Sequence, residues 1–88
     1  MKLVIVILGD GEADGVVRPL IEAGYRVTRL ASSGGFLRRG NTTLLMGMPA
    51  EKVDEALGLV RQVLAGVADP GSRRATLFVL NVAQYEQL

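Results

Sequence analysis

The sequence predicts an α+β fold, a single domain whose elements run β-α-β-β-α-β. Three observations carry that prediction. A β-branched, almost continuously apolar run opens the chain, Lys2-Leu3-Val4-Ile5-Val6-Ile7-Leu8. Two segments, 12–23 and 50–64, place apolar residues at helical spacing. Shorter runs at 25–33, 41–48 and 75–80 read as strands bounded by glycine or proline turns. With 88 residues the chain is too short for two independent cores, so residues 1–88 form one domain.

Each element has a local reason. Residues 2–8 are apolar on both sides, as a strand covered on both faces requires, and Gly9-Asp10-Gly11 ends it. From Glu12 to Ala23 the apolar stripe is Ala13, Val16, Val17, Leu20 and Ile21. Pro19 inside that stripe predicts a kink or a delayed helix start, because it removes a hydrogen bond. Gly24 is expected to close the helix. Tyr25 to Ser33 then alternates, with Arg26, Thr28 and Leu30 on one face and Tyr25, Val27, Arg29 and Ala31 on the other. Ser32 to Gly40 is a loop and Asn41 to Met48 the returning strand. Met48-Pro49-Ala50-Glu51 opens a second helix, with Pro49 where a helix tolerates it and Glu51 near the positive end of the dipole. Val53, Ala56, Leu57, Val60 and Leu64 form its stripe. Ala68-Asp69-Pro70-Gly71-Ser72 marks a turn, Ala75 to Leu80 a last strand, and Asn81 to Leu88 a tail.

The usual solution for this order is the ferredoxin-like sandwich, one antiparallel sheet with both helices on one face. Leu3 to Leu8 offers apolar side chains to both faces, so the face without helices is expected to be covered by further copies of the chain. There is no cysteine or histidine, hence no disulfide and no Cys/His zinc cluster to reinforce a small core. Oligomerisation is the remaining remedy. Sedimentation of a stable monomer at micromolar concentration would remove this expectation.

Composition excludes several function classes. The net charge of +1 argues against a broad nucleic-acid surface. The apolar start is short and runs into Gly9-Asp10-Gly11-Glu12, not into a small-residue cleavage site. No segment approaches the roughly 20 apolar residues a membrane helix needs, and a soluble cytoplasmic protein is expected. Asp10, Glu12, Asp14 and Gly15 imitate the opening of a calcium loop, but Ile21 stands where the bidentate acid belongs and a strand precedes. Helix capping and dipole compensation are the expected roles of these acids. Gly9-x-Gly11 lacks the third glycine of a dinucleotide turn, since Asp14 holds that place. Without His or Cys, and with no acidic pair beside a nucleophile, no enzyme, metal or cofactor is predicted.

Residues 26–47 remain. Arg26, Arg29, Arg38 and Arg39 share this stretch with no acidic residue, and Gly34 and Gly35 free a loop to present N–H groups. Phe36 offers a ring, and Asn41 and Thr42 offer polar edges. Such a set suits an anionic nucleotide, and equally a solvated, arginine-flanked hairpin.

The run T-R-L-A-S-S-G-G-F-L-R-R-G-N-T-T-L-L-M-G resembles the signature of the cyclic-di-AMP receptor family, small PII-like signalling proteins. The likeness extends to the closing A-T-L-F-V-L-N-V-A-Q-Y-E-Q-L. It implies a ferredoxin-like homotrimer that binds cyclic-di-AMP in clefts between subunits, without catalysis, and signals to an unnamed downstream protein. The ligand positions it implies are Arg26, Val27, Thr28, Gly35, Phe36, Leu37, Asn41, Gly47, Phe78 and Gln87. Gly47, Phe78 and Leu37 have an alternative reading as packing residues. ATP, ADP or another nucleotide is the alternative ligand, and an oligomeric module without ligand is the third reading. The chain departs from the family pattern in its short 68–74 connection, where family members carry a long loop ending in Gly-Gly-Ala. Arg73-Arg74-Ala75 stands in place of that motif, Gly24 in place of a polar residue, and Asn81 in place of a proline. Arg73 and Arg74 would add positive charge near a bound phosphate.

Overall fold

A computed structural model describes residues 1–31, 40–66 and 75–88. The elements are β1 (Lys2–Gly9), α1 (Asp10–Glu22), β2 (Thr28–Ala31), β3 (Asn41–Met48), a single 3-10 turn (Ala50–Lys52), α2 (Val53–Ala65) and β4 (Ala75–Asn81). The sheet has four strands in the order β2-β3-β1-β4, and every neighbouring pair is antiparallel. This is the ferredoxin-like arrangement, with β3 inserted between the two strands that α1 connects.

Period-2 alternation divides β1 cleanly. Val4, Val6 and Leu8 are buried, whereas Leu3, Ile5 and Ile7 are half-buried on the opposite face. The buried set joins Leu44, Met46 and Met48 of β3, Val16 and Leu20 of α1, and Ala56 and Val60 of α2 in one core. Both helices therefore lie on the same side of the sheet. The α2 stripe is the expected one, with Val53, Leu57 and Leu64 packed around that core. In α1, Ile21 departs from expectation: it is 56% exposed and points away from the sheet.

Element boundaries differ from the sequence reading where backbone hydrogen bonds are already committed. α1 starts directly after β1 at Asp10, without the delay that Pro19 suggested, and runs through Pro19 to Glu22. Its N-cap is Gly9 and no side chain caps it, so the acids act otherwise than by capping. Asp10 and Glu12 sit in the first turn, where carboxylates favour the helix dipole. The Asp10 amide donates to the Gly40 carbonyl at 2.8 Å, and the Asp10 carboxylate accepts a short hydrogen bond from the Thr42 hydroxyl.

At the other end α1 closes as expected at Gly24, whose φ of +96° only glycine adopts readily. The Gly24 amide donates to the Ile21 carbonyl and the Tyr25 amide to the Leu20 carbonyl, each at 3.0 Å, which is the Schellman pattern. That second bond removes the Tyr25 N–H from any sheet ladder. β2 consequently begins at Thr28 instead of Tyr25, and 25–27 form an extended lead-in. The second helix is likewise deferred: Pro49 precedes a 3-10 turn, and α2 proper begins at Val53. β3 occupies its expected residues.

Candidate functional site

The sheet face opposite the helices is open. The register aligns Thr28, Leu45, Ile5 and Phe78 in one row across the four strands. The next row toward the chain ends holds Gly47, Leu3 and Leu80, with Arg26 arriving beside Gly47 from the lead-in to β2. Because β2 and its lead-in alternate, Arg26 and Thr28 reach this face while Tyr25 and Val27 pack against the core.

The C-terminal tail crosses the same end of the sheet. The Val82 amide donates to the Met1 carbonyl at 3.1 Å, and the Lys2 ammonium makes a short hydrogen bond to the Asn81 side-chain oxygen. Tail and sheet enclose a groove of about 440 Å³, lined by Arg26, Thr28, Gly47, Tyr85 and Gln87 over a floor that includes Leu3 and Leu45. That size falls within the range of small-molecule sites. Gly47 leaves the floor low: a Cβ there would meet only the Met1 sulfur, at 3.5 Å. Among the described residues no carboxylate pairs with Arg26, so the groove carries one uncompensated positive charge.

Arg29 does not belong to this set. It pairs with Asp14 of α1 at 2.5 Å on the helix side of the sheet. Arg38, Arg39, Arg73 and Arg74 lie outside the described residues, as do Gly35, Phe36 and Leu37 and the 68–74 connection.

The expected ligand positions thus divide into groups. Arg26, Thr28, Gly47 and Gln87 converge on the groove. The Val27 side chain faces the core and not the groove. Phe78 lies on the open face, 48% exposed, on the edge strand and outside the groove lining. Asn41 stands at the far end of β3, opposite Gly9, beside a second cavity of about 560 Å³. Along an antiparallel strand, Asn41 and Gly47 are separated by about 20 Å. Missed by the sequence reading is Tyr85, a groove residue whose only signal is that it stands close before Gln87.

Behind Arg26 a third hollow, of about 280 Å³, is closed by Tyr25, Lys52 and Glu55. The Tyr25 hydroxyl donates to the Glu55 carboxylate at 2.6 Å and lies 3.2 Å from the Lys52 carbonyl. These contacts fasten the lead-in that carries Arg26 to the start of α2. Partial burial, then the hydrogen bond to Glu55 and its negative charge, push the Tyr25 pKa up to about 12. A folded-state pKa raised above the unfolded one gives stability that is complete below pH 10 and lost as pH rises through about 12. In a Tyr85→Phe background, where Tyr25 is the remaining tyrosine, phenolate absorbance should appear with a midpoint near 12. Adding Glu55→Gln should bring that midpoint down.

Comparison with known proteins bears on the same residues. The family model described as the cyclic-di-AMP receptor matches residues 1–69. That match includes Arg26, Thr28, Asn41 and Gly47, and stops before β4 and the tail. Among solved structures, a functionally unknown protein from Pediococcus pentosaceus is 34% identical with a TM-score of 0.76, covering 99% of this chain and 96% of that one. A DUF3240 family protein from Shewanella baltica shares the fold at 19% identity and a TM-score of 0.67, covering 99% and 94%.

Proposed function

As the chain belongs to the cyclic-di-AMP receptor family, a family of receptors and not of enzymes, we propose that it binds cyclic-di-AMP in clefts between the subunits of a homotrimer. The observation that carries this reading is the groove itself. Residues distant in sequence, Arg26, Thr28, Gly47 and Gln87, meet around one cavity, and among the described residues no carboxylate pairs with Arg26. An anionic phosphodiester matches the Arg26 guanidinium, which presents paired N–H donors. The aliphatic floor of Leu3 and Leu45 suits the flat faces of bases.

Two further observations favour a site shared between copies. Asn41 lies about 20 Å along the strand from Gly47, too far for one compact cyclic dinucleotide to touch both within a single chain. A neighbouring copy brings its own Asn41 to the groove. The open face also exposes Leu30, Phe78 and Leu80 beside the half-buried Leu3, Ile5 and Ile7. Covering that surface removes apolar area from water at roughly 25 cal/mol per Å².

Calorimetric titration tests the reading. Cyclic-di-AMP should saturate at about one molecule per chain, and ATP and ADP should compete poorly. Displacement by ATP at equal concentration would transfer the site to a mononucleotide. Absence of heat and of any thermal shift with every nucleotide would leave an oligomeric module without ligand.

A further inference from the structure

Resting on the nucleotide reading above, we infer that Tyr85 is a ligand-contacting residue: its ring stacks on one adenine, and its hydroxyl sets the neighbouring Gln87 amide to select adenine over guanine. The tail is placed for this by its two ties to the start of β1, Val82 to Met1 and Asn81 to Lys2. Beyond those ties Tyr85 lines the same groove as Arg26, yet it is 60% exposed and outside the core cluster.

Aromatic residues are scarce in this chain, with two tyrosines and two phenylalanines in all. One of them left open in a groove with a guanidinium that pairs with no carboxylate among the described residues gives that groove a stacking surface and a phosphate partner together. Bases stack on such rings without regard to sequence, so stacking supplies affinity. Discrimination has to come from hydrogen bonds.

Gln87 supplies them through its orientation. The Tyr85 hydroxyl donates to the Gln87 side-chain oxygen at 3.3 Å. The bond uses one of that oxygen's two lone pairs and holds the amide one way round, which fixes where its NH2 donor and its remaining acceptor stand. The Watson–Crick edge of adenine presents the bare N1 acceptor to such a donor. Guanine presents an N1–H there, and two donors face one another. A donor that the bound base closes off from water and leaves unmade is costly, which turns the mismatch into selectivity.

The test titrates full-length protein with cyclic-di-AMP and with cyclic-di-GMP. Tyr85→Ala should weaken cyclic-di-AMP binding by about 10-fold or more, the loss expected for one stacked base. Tyr85→Phe should keep most of that affinity but narrow the preference for cyclic-di-AMP over cyclic-di-GMP, as should Gln87→Ala. Because Tyr85 is exposed, all three variants should melt within a degree or two of the parent. Tyr85→Ala binding as tightly as the parent overturns the stacking role, and Tyr85→Phe with unchanged preference overturns the selecting role. A parent protein that binds neither dinucleotide removes the nucleotide reading itself, and this inference with it.

Discussion

Leu44→Ala is expected to lower the unfolding free energy by about 3 kcal/mol, the cost of a deleted buried side chain and the cavity it leaves. Leu44 is 0% exposed. It sits on the inner strand β3, opposite Val6 of β1 and Arg29 of β2. Helices cover it from one side and sheet neighbours hold it laterally, so the site has little freedom to collapse. Against a total stability of roughly 5–15 kcal/mol, that loss is large. It should appear as a fall in melting temperature of roughly 15 °C. Ile21→Ala is the control: its side chain is 56% exposed despite its place in the apolar stripe, and the change should stay within about 0.5 kcal/mol. Denaturant midpoints measured at one protein concentration separate the two, since association itself stabilises.

Arg26→Ala should weaken cyclic-di-AMP binding by about 30-fold, corresponding to about 2 kcal/mol for a charge-assisted hydrogen bond. Arg26→Lys should recover only part of the loss, because an ammonium cannot present the guanidinium's paired donors. Arg29→Ala should leave the affinity unchanged. Its charge is already opposed by Asp14 on the other side of the sheet, in an exposed pair that contributes little to stability. Equal losses from Arg26→Ala and Arg29→Ala in calorimetric titration would mean that general positive charge, and not the groove, holds the ligand.

How far the sequence foretells this molecule depends on the range of the interactions involved. β3 is legible at Asn41–Met48 because glycine precedes it and proline follows it. The Gly24 closure is legible because the need for positive φ is local and nearly exclusive to glycine. β2 reads too long because alternation continues through 25–27 while the Tyr25 amide is bound to Leu20, a commitment no periodicity reveals. Ile21 reads as core because a stripe reports spacing, not where the neighbouring helix ends.

The site is legible only in part for the same reason. Arg26 and Thr28 can be assigned to one face from alternation alone. That Arg29 meets Asp14 on the helix side of the sheet depends on how α1 lies over β2. The tail carries no period, so the approach of Tyr85 and Gln87 to Arg26 emerges only once Val82 is hydrogen-bonded to Met1. The family resemblance supplied Gln87. The expected positions Gly35, Phe36 and Leu37 lie outside the described residues.

A crystal structure of the full chain grown with cyclic-di-AMP tests the central claim most directly. The account predicts the dinucleotide against Arg26, Thr28 and Gly47 of one copy and Asn41 of the next, with the open sheet faces turned toward one another. A ligand held within one chain, or an empty groove in crystals saturated with the compound, would contradict it.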